Sequence, residues 1–331
     1  MHISILDFIF IRIKPGFCAS KNDTITRNDN SKSRTTKSPG FFKINMKRQI
    51  TIQGVAGCYH DAAARNYFAT HNPNDTIETI PCDTFNDMFQ CLDSDTELLG
   101  VMAIENTIAG ALLQNHELLR KSSLKIIGEH KMRISHVLAA LPGQEINDIT
   151  EVNSHPMAIR QCEQFLHRFT HMKVAEAFDT AGSAKLISEN KLFGHAAICG
   201  AYAAELYGLN ILADNIETNK RNFTRFLILA DSLSTQDFVS PNYEPNKASI
   251  VFTLPHTQGA LSKILTILSF YDINLTKIQS MPIIGREWEY RFYIDLTFDS
   301  IARYQKAIDA VRPLLTDFKS LGEYIECTNE V

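Results

Sequence analysis

Asn222-Phe223-Thr224-Arg225-Phe226, running on into Leu227-Ile228-Leu229-Ala230, sets an amide, a hydroxyl and a guanidinium at the mouth of an apolar strand. In extended chain, successive side chains point to opposite faces. Asn222 and Thr224 then share one face, with Phe223 and Arg225 on the other. A hydroxyl beside a guanidinium, near apolar walls, suits a small anion whose leaving group needs a proton. The same nine residues also read as an ordinary buried strand with a polar mouth, and Asn222-Phe223-Thr224 fits the N-glycosylation pattern. The flanking chain has to decide between these readings.

Composition narrows the choice. At 331 residues, 44% hydrophobic and 21% charged, the chain has material for two ordinary globular domains. Its net charge of −4 hides an asymmetry: residues 1–45 carry eight Lys/Arg against three Asp/Glu, leaving −9 for the rest. An acidic body of this kind gives no footing for nucleic acid, and it has to bind an anion with a few placed Arg, Lys or backbone N–H groups. The seven cysteines are odd in number, scattered, and without a Cys-x-x-Cys pair. That pattern implies reduced thiols in a cytoplasmic setting, with neither a disulfide framework nor a zinc site.

Upstream of the opening stretch the pattern alternates strand and helix. Ile50–Ile52 is a strand, followed by a small-residue turn, Gly54 to His60, and an Ala-rich helix from Asp61 to Thr70. Ile77–Pro81 and Leu98–Ile104 are strands, with a helix capped by Thr84 between them; the second strand ends in Glu105-Asn106-Thr107, shortly before Gly110. Polar residues at the C-terminal end of a buried strand mark where open α/β sheets bind ligands. Leu124–Glu129 and Arg133–Leu141 read as strands. Ser154-His155-Pro156 opens a helix running from Met157 to about Arg168, since Pro suits a first turn and Ser or His a cap. Asp179-Thr180 caps another helix, and Tyr207-Gly208 closes one more. Residues 46–231 therefore form an α/β domain with a mainly parallel sheet, in two lobes around a cleft.

The two ends read differently. Residues 1–45 combine an apolar run too short to span a membrane with a polar stretch expected to be disordered, and Met46 looks like a natural start. Residues 232–246 are a polar, Pro-containing linker. Residues 247–331 give the order βαββαβ, the ferredoxin-like arrangement.

Taken together these clusters resemble prephenate dehydratase in the form carrying a C-terminal ACT regulatory domain. The resemblance rests on Glu105-Asn106-Thr107 with Gly110, Ser154-His155-Pro156 with Gln161-Cys162, Asp179-Thr180-Ala181, and Asn222 to Phe226, over about residues 49–327. It implies a catalytic domain like a periplasmic binding protein, and a lyase that turns prephenate into phenylpyruvate, carbon dioxide and water in phenylalanine biosynthesis. No cofactor, metal, nucleic acid or membrane is implied. Thr224, Arg225 and Phe226 would be catalytic: Thr224 helps protonate the departing hydroxyl, and Arg225 holds a carboxylate or braces the threonine. Ala56, Gly57, Glu105, Asn106, Thr107, Gly110, Ser154, His155, Asp179, Thr180, Ala181 and Asn222 would line the substrate site. Glu105 is assigned to orienting its neighbours, and His155 reads equally well as a plain helix cap.

The family's effector signature would place phenylalanine against Gly259, Ala260, Leu261, Asn274, Leu275, Gln279 and Ser280, in a homo-oligomer of two or four chains. Several positions depart from the family pattern. Gly54-Val55-Ala56-Gly57-Cys58 stands where Gly-Pro-x-Gly-Thr is common, Met157 replaces a usual Gln, and Gln279-Ser280-Met281-Pro282 replaces Glu-Ser-Arg-Pro. Loss of that Glu and Arg removes an ion pair, so weaker phenylalanine feedback is expected. Two rivals remain: an arogenate dehydratase, whose substrate carries an amine in place of the keto group, and a non-catalytic amino-acid sensor.

Overall fold

The computed structural model describes residues 46–238 and 243–328. The N-terminal stretch read as an extension, residues 1–45, lies outside them, as does part of the 232–246 linker. No described helix is long and apolar enough to cross a membrane.

The first lobe begins with β1 (Lys47–Gln53), β2 (Thr76–Cys82), β3 (Leu99–Asn106), the short β4 (Gly110–Ala111) and β5 (Lys125–Arg133). Helices α1 (Tyr59–His71), α2 (Phe85–Ser94) and α3 (Leu113–Lys121) connect them. Thr84 caps α2 as its sequence implies, accepting from the Asp87 N–H while the Asp87 carboxylate accepts from the Thr84 N–H. Helix α3 has few apolar residues and buries Asn115 and His116 instead, so its pattern gives no helical signal in the sequence. The second lobe holds β6 (Val137–Ala140), β7 (Glu151–Ser154), β8 (Lys173–Glu176), β9 (His195–Cys199) and β10 (Asn210–Ala213), in the order β10-β6-β9-β7-β8. Around them lie α4 (Pro156–Gln161), α5 (Glu163–Leu166), α6 (Thr180–Asn190) and α7 (Ala201–Leu206). The single helix expected from Met157 to Arg168 is therefore broken, at Cys162.

The chain then returns to the first lobe as β11 (Phe223–Ala230), which inserts between β3 and β5 to give β2-β1-β3-β11-β5. It runs antiparallel to both neighbours. This corrects the expectation of a mainly parallel sheet: a strand re-entering from the other lobe arrives in the opposite direction, so the sheet is mixed. The two crossings between lobes, residues 134–136 and 214–222, are tied together by the buried Glu217. Its carboxylate accepts from the His136 N–H at 3.0 Å and from Arg133 at 2.9 Å.

After a short α8 (Thr235–Phe238) come β12 (Lys247–Thr253), α9 (Ala260–Phe270), β13 (Asn274–Pro282), β14 (Tyr290–Thr297), α10 (Ile301–Val311) and β15 (Asp317–Tyr324). The antiparallel order β13-β14-β12-β15 is that of a ferredoxin-like sheet. One face packs Ile250, Phe252 and Ile294 against Ile264 and Leu268 of α9 and Ile308 of α10. The other face does not meet water. Val251, Tyr293, Leu321 and Tyr324 join Met102, Leu119, Ile126 and Leu227 in one core, so the C-terminal sheet lies on the back of the first-lobe sheet. Contact is close enough that a Cβ on Gly322 would overlap the Ile126 carbonyl of β5. The linker is not free either, since the Tyr243 hydroxyl sits 3.0 Å from the Ile127 carbonyl and 3.2 Å from that of Glu323.

Candidate active site

Side chains on β11 alternate across a sheet that is buried on both faces. Phe226, Ile228 and Ala230 pack with α1 and the second lobe, whereas Leu227 and Leu229 pack toward the C-terminal sheet. Thr224 belongs to the first set and Arg225 to the second. On β3 a bulge interrupts this alternation: Arg225 pairs with Glu105 but Phe226 pairs with Ala103, leaving Ile104 as the extra residue. Without it, simple alternation from the inward-facing Ala103 would aim Glu105 into the cleft and Asn106 away. The bulge exchanges them, as bulges near functional sites commonly re-aim a side chain. Glu105 turns to the far side, and Asn106 faces Thr224.

Hydrogen bonds then fix the polarity of a chain of side chains through the hinge. The Asn106 Oδ1 accepts from the Ile108 and Ala109 N–H groups at 2.9 and 2.8 Å, which forces its Nδ2 toward Thr224 Oγ1 at 2.9 Å and Asn222 Oδ1 at 2.8 Å. Asn222, completely buried, must then donate from Nδ2, and Gln161 Oε1 accepts at 3.1 Å. The same Gln161 oxygen lies 2.8 Å from His136 Nε2, and His136 Nδ1 lies 2.8 Å from the Tyr59 hydroxyl. Burial lowers the His136 pKa, against the pull of Gln161 and Glu217, and the Tyr59 hydroxyl donates to the Ser135 carbonyl at 2.8 Å. One consequence matters for chemistry. Thr224 Oγ1 accepts from Asn106, so its own hydrogen is free to point into the cleft.

The cleft holds a cavity of about 640 Å³, a size suited to a small molecule. Thr224, Phe226, Asn106 and His60 line it from the first lobe, and His155, Met157, Gln161, Asp179 and Thr180 from the second, with Tyr59 and His136 between. Half-buried His60 accepts from the Ala103 N–H at 3.2 Å, and its pKa is pushed down to about 4, desolvation outweighing a hydrogen bond to Gln53. It is a neutral brace at the bulge. Cys58 also lines the cavity, with its thiol pushed up to about 12 by burial.

The structure places other candidates elsewhere. Arg225 is the main correction: it points away from the cavity into the seam with the C-terminal sheet. There its Nε lies 2.6 Å from Glu129, a second nitrogen pairs with Asp295, and the third donates to the Tyr324 hydroxyl at 2.7 Å. Glu105 goes the same way and pairs with Lys277 of β13 at 3.0 Å. Ala56 and Gly57 do not line the cavity; the Gly57 N–H is taken by Asp61 at 2.8 Å, and the Ala56 carbonyl by Tyr207 at 2.7 Å. Ser154 is fully buried and donates to the Ile198 carbonyl at 2.6 Å, and Ala181 is core. Thr107 donates to the Arg221 carbonyl at 3.1 Å and accepts from the Phe223 N–H at 2.9 Å, bracing the hinge. Gly110 is exposed opposite Asn106 at φ +81°. His155 is a cap, accepting from the Met157 N–H at 3.1 Å, and lines the cavity as well.

Tyr59, His60 and His136 are among the lining residues that sequence reasoning missed. Each is an isolated polar residue in a loop or helix start, and only the hinge brings His136 to Gln161.

A two-lobed α/β body with a polar cavity at its hinge and a ferredoxin-like unit on its back defines the class of protein. The prephenate dehydratase family model matches residues 50–233. Arogenate dehydratase 5 of Arabidopsis thaliana is 38% identical over 295 residues, 83% of this chain and 67% of the relative. A solved prephenate dehydratase from Arthrobacter aurescens, in complex with L-Phe, aligns with a TM-score of 0.72 at 27% identity, covering 85% of this chain and 91% of that one. A structure described as GqqA, a novel type of quorum quenching acylase, aligns with a TM-score of 0.73 at 30% identity, covering 85% of this chain and 99% of that one. The chain belongs to the prephenate dehydratase family, whose members are hydro-lyases of aromatic amino acid biosynthesis. The expected cytoplasmic setting is overturned: the Arabidopsis relative and others like it are chloroplastic by name.

Proposed function

We propose that this chain catalyses the decarboxylating dehydration of prephenate or its amino counterpart arogenate, releasing one carbon dioxide and one water as the ring becomes aromatic. The observation that carries this reading is the Thr224 hydroxyl, whose oxygen is engaged by Asn106 and whose hydrogen is left to the cavity. As the ring carboxylate departs as CO2, its bonding electrons flow into the ring and expel the hydroxyl, which takes its proton at Thr224. A threonine hydroxyl is a weak acid, so positioning and a preorganised set of neutral dipoles supply most of the acceleration. Thr224 is 8% exposed, and Phe226 forms an apolar wall beside it, conditions that favour loss of charge as CO2. Among the described lining residues there is no Lys or Arg, so the substrate carboxylates are met by neutral donors.

An acylase reading lacks an activated nucleophile: the Cys58 thiol is held neutral by burial, and the Ser154 hydroxyl is committed to a backbone carbonyl.

The C-terminal unit is read as an ACT domain that binds phenylalanine. Gly259, at φ +74°, starts α9 with Ala260 and Leu261; Asn274, Leu275, Gln279 and Ser280 lie on the edge strand β13. An edge strand beside the exposed Trp288 and Ile284 suits pairing with a second copy, as a dimer or tetramer. The test is incubation of the purified chain with each substrate, with and without phenylalanine, following aromatic product and CO2. Product from either substrate supports the reading, and binding without product from both overturns it in favour of a sensor.

A further inference from the structure

We propose that Arg160 binds the substrate carboxylate that survives the reaction, reaching it from a second hollow that opens beside the main cavity. The inference rests on the dehydratase reading above and supplies the cation that the main cavity lacks. Either substrate brings two carboxylates, yet the only Asp, Glu, Lys or Arg among the described lining is the acidic Asp179. Neutral donors orient such a ligand. They do not offset two negative charges entering a body that is already acidic.

The second hollow, of about 290 Å³, lies where α4 meets the lobe crossing at Thr218 and Asn219. Met157 and Gln161 line both spaces, whereas Arg160, on the same helix, lines the second alone. Arg160 is exposed, and among the described residues its guanidinium makes no ion pair and one polar contact, from Nη2 to the Met157 sulfur at 4.0 Å. A thioether is a weak acceptor, so that contact leaves the guanidinium beside the cavity wall without committing it. Glu163 lines the same hollow but lies against His167 instead, at 3.7 Å.

The position also fits. Gln161, next to Arg160, is the far end of the hydrogen-bonded series Gln161–Asn222–Asn106–Thr224. A cation at one end and the proton donor at the other frame a substrate whose side chain and leaving hydroxyl stand on opposite sides of its ring. Electrostatics selects the carboxylate. The ring carboxylate loses its charge as it leaves, so a cation paired with it would stabilise the ground state more than the transition state and slow the step. The side-chain carboxylate keeps its charge throughout, and a grip there raises affinity without raising the barrier.

The experiment measures kcat and KM for whichever substrate wild type turns over, and Ki for phenylpyruvate, a competitive inhibitor that carries the retained carboxylate alone. Arg160→Gln should raise KM about tenfold or more and Ki in parallel, with kcat within about threefold of wild type and the melting temperature unchanged. Unchanged KM and Ki overturn the proposal alone. A raised KM with an unchanged Ki also overturns it, because Arg160 would then hold the departing carboxylate. No turnover of either substrate by wild type overturns the dehydratase reading itself, and this proposal with it. If Arg160→Gln fails to fold, the salt response of wild type decides. A KM that rises with added KCl supports an exposed ion pair with the substrate; one that holds, or falls as repulsion from the acidic body is screened, overturns it.

Discussion

Replacing Arg225 with methionine keeps an apolar stem and deletes a charge that three partners hold. Glu129 and Asp295 both lean on the guanidinium, and Lys247, 3.0 Å from Glu129, is the other cation in contact with the pair. The variant leaves two carboxylates facing one ammonium. Neither has much recourse to water: the Glu129 side chain is 0% exposed and that of Asp295 11%. Removing one partner of a buried pair costs about 3–5 kcal/mol. At about 2 °C per kcal/mol for a chain of this size, the melting temperature should fall by roughly 6–10 °C. Neutralising Asp295 as well, in Arg225→Met/Asp295→Asn, restores a balanced Glu129–Lys247 pair and should recover more than half of the loss. Thermal unfolding read by circular dichroism, beside turnover at 25 °C, separates the two possible roles of this arginine. An unchanged melting temperature with KM raised about tenfold or more would refute the reasoning, because it would mean that Arg225 grips the substrate carboxylate.

The same seam makes an acid-sensitive contribution. Burial would raise the pKa values of Glu129 and Asp295, but Arg225 beside both, with Lys247 at Glu129 and Ser249 at Asp295, holds each below its ordinary value. A carboxylate with a depressed folded pKa stabilises fully above its unfolded value, near pH 4, and loses that contribution as pH falls through the folded value. Wild type should therefore keep its melting temperature to about pH 4 and lose it below, whereas in Arg225→Met the unpaired buried carboxylates take up protons first in the folded state, so its deficit relative to wild type should narrow as pH falls toward 4; a deficit that does not change with pH would count against the ion cluster. Gly322→Ala inserts a methyl group against the Ile126 backbone, where no flexible side chain can yield, and should cost about 1–3 kcal/mol in urea unfolding. Unaltered stability there would mean that the C-terminal sheet does not dock on β5 as described.

How much of this was legible beforehand differs by feature. The βαββαβ order of the C-terminal unit followed from periodicity, because each of its elements carries its own apolar face. The clusters around Asn106, His155, Asp179 and Thr224 were visible as polar residues at strand ends and helix starts. What local pattern cannot carry is the partner on the far side of a sheet. Arg225 looked like an anion ligand because the sequence does not reveal that a second sheet, bearing Asp295 and Tyr324, waits behind β11. Glu105 misled for a related reason: a one-residue bulge, invisible in the pattern, decides which of two neighbours faces the cavity. His136 was silent because its role depends on Gln161 and Tyr59, brought to it by the crossing of the lobes.

The central claim is that the Thr224 hydroxyl delivers the proton to the leaving group. Thr224→Val preserves shape and removes the hydroxyl, while Thr224→Ser keeps the hydroxyl and removes a methyl group. Single-turnover rates for the pair test it most directly. The account predicts a loss of about 100-fold or more for Val with the fold intact, and a rate within roughly tenfold of wild type for Ser. A valine variant within about threefold of wild type would contradict it.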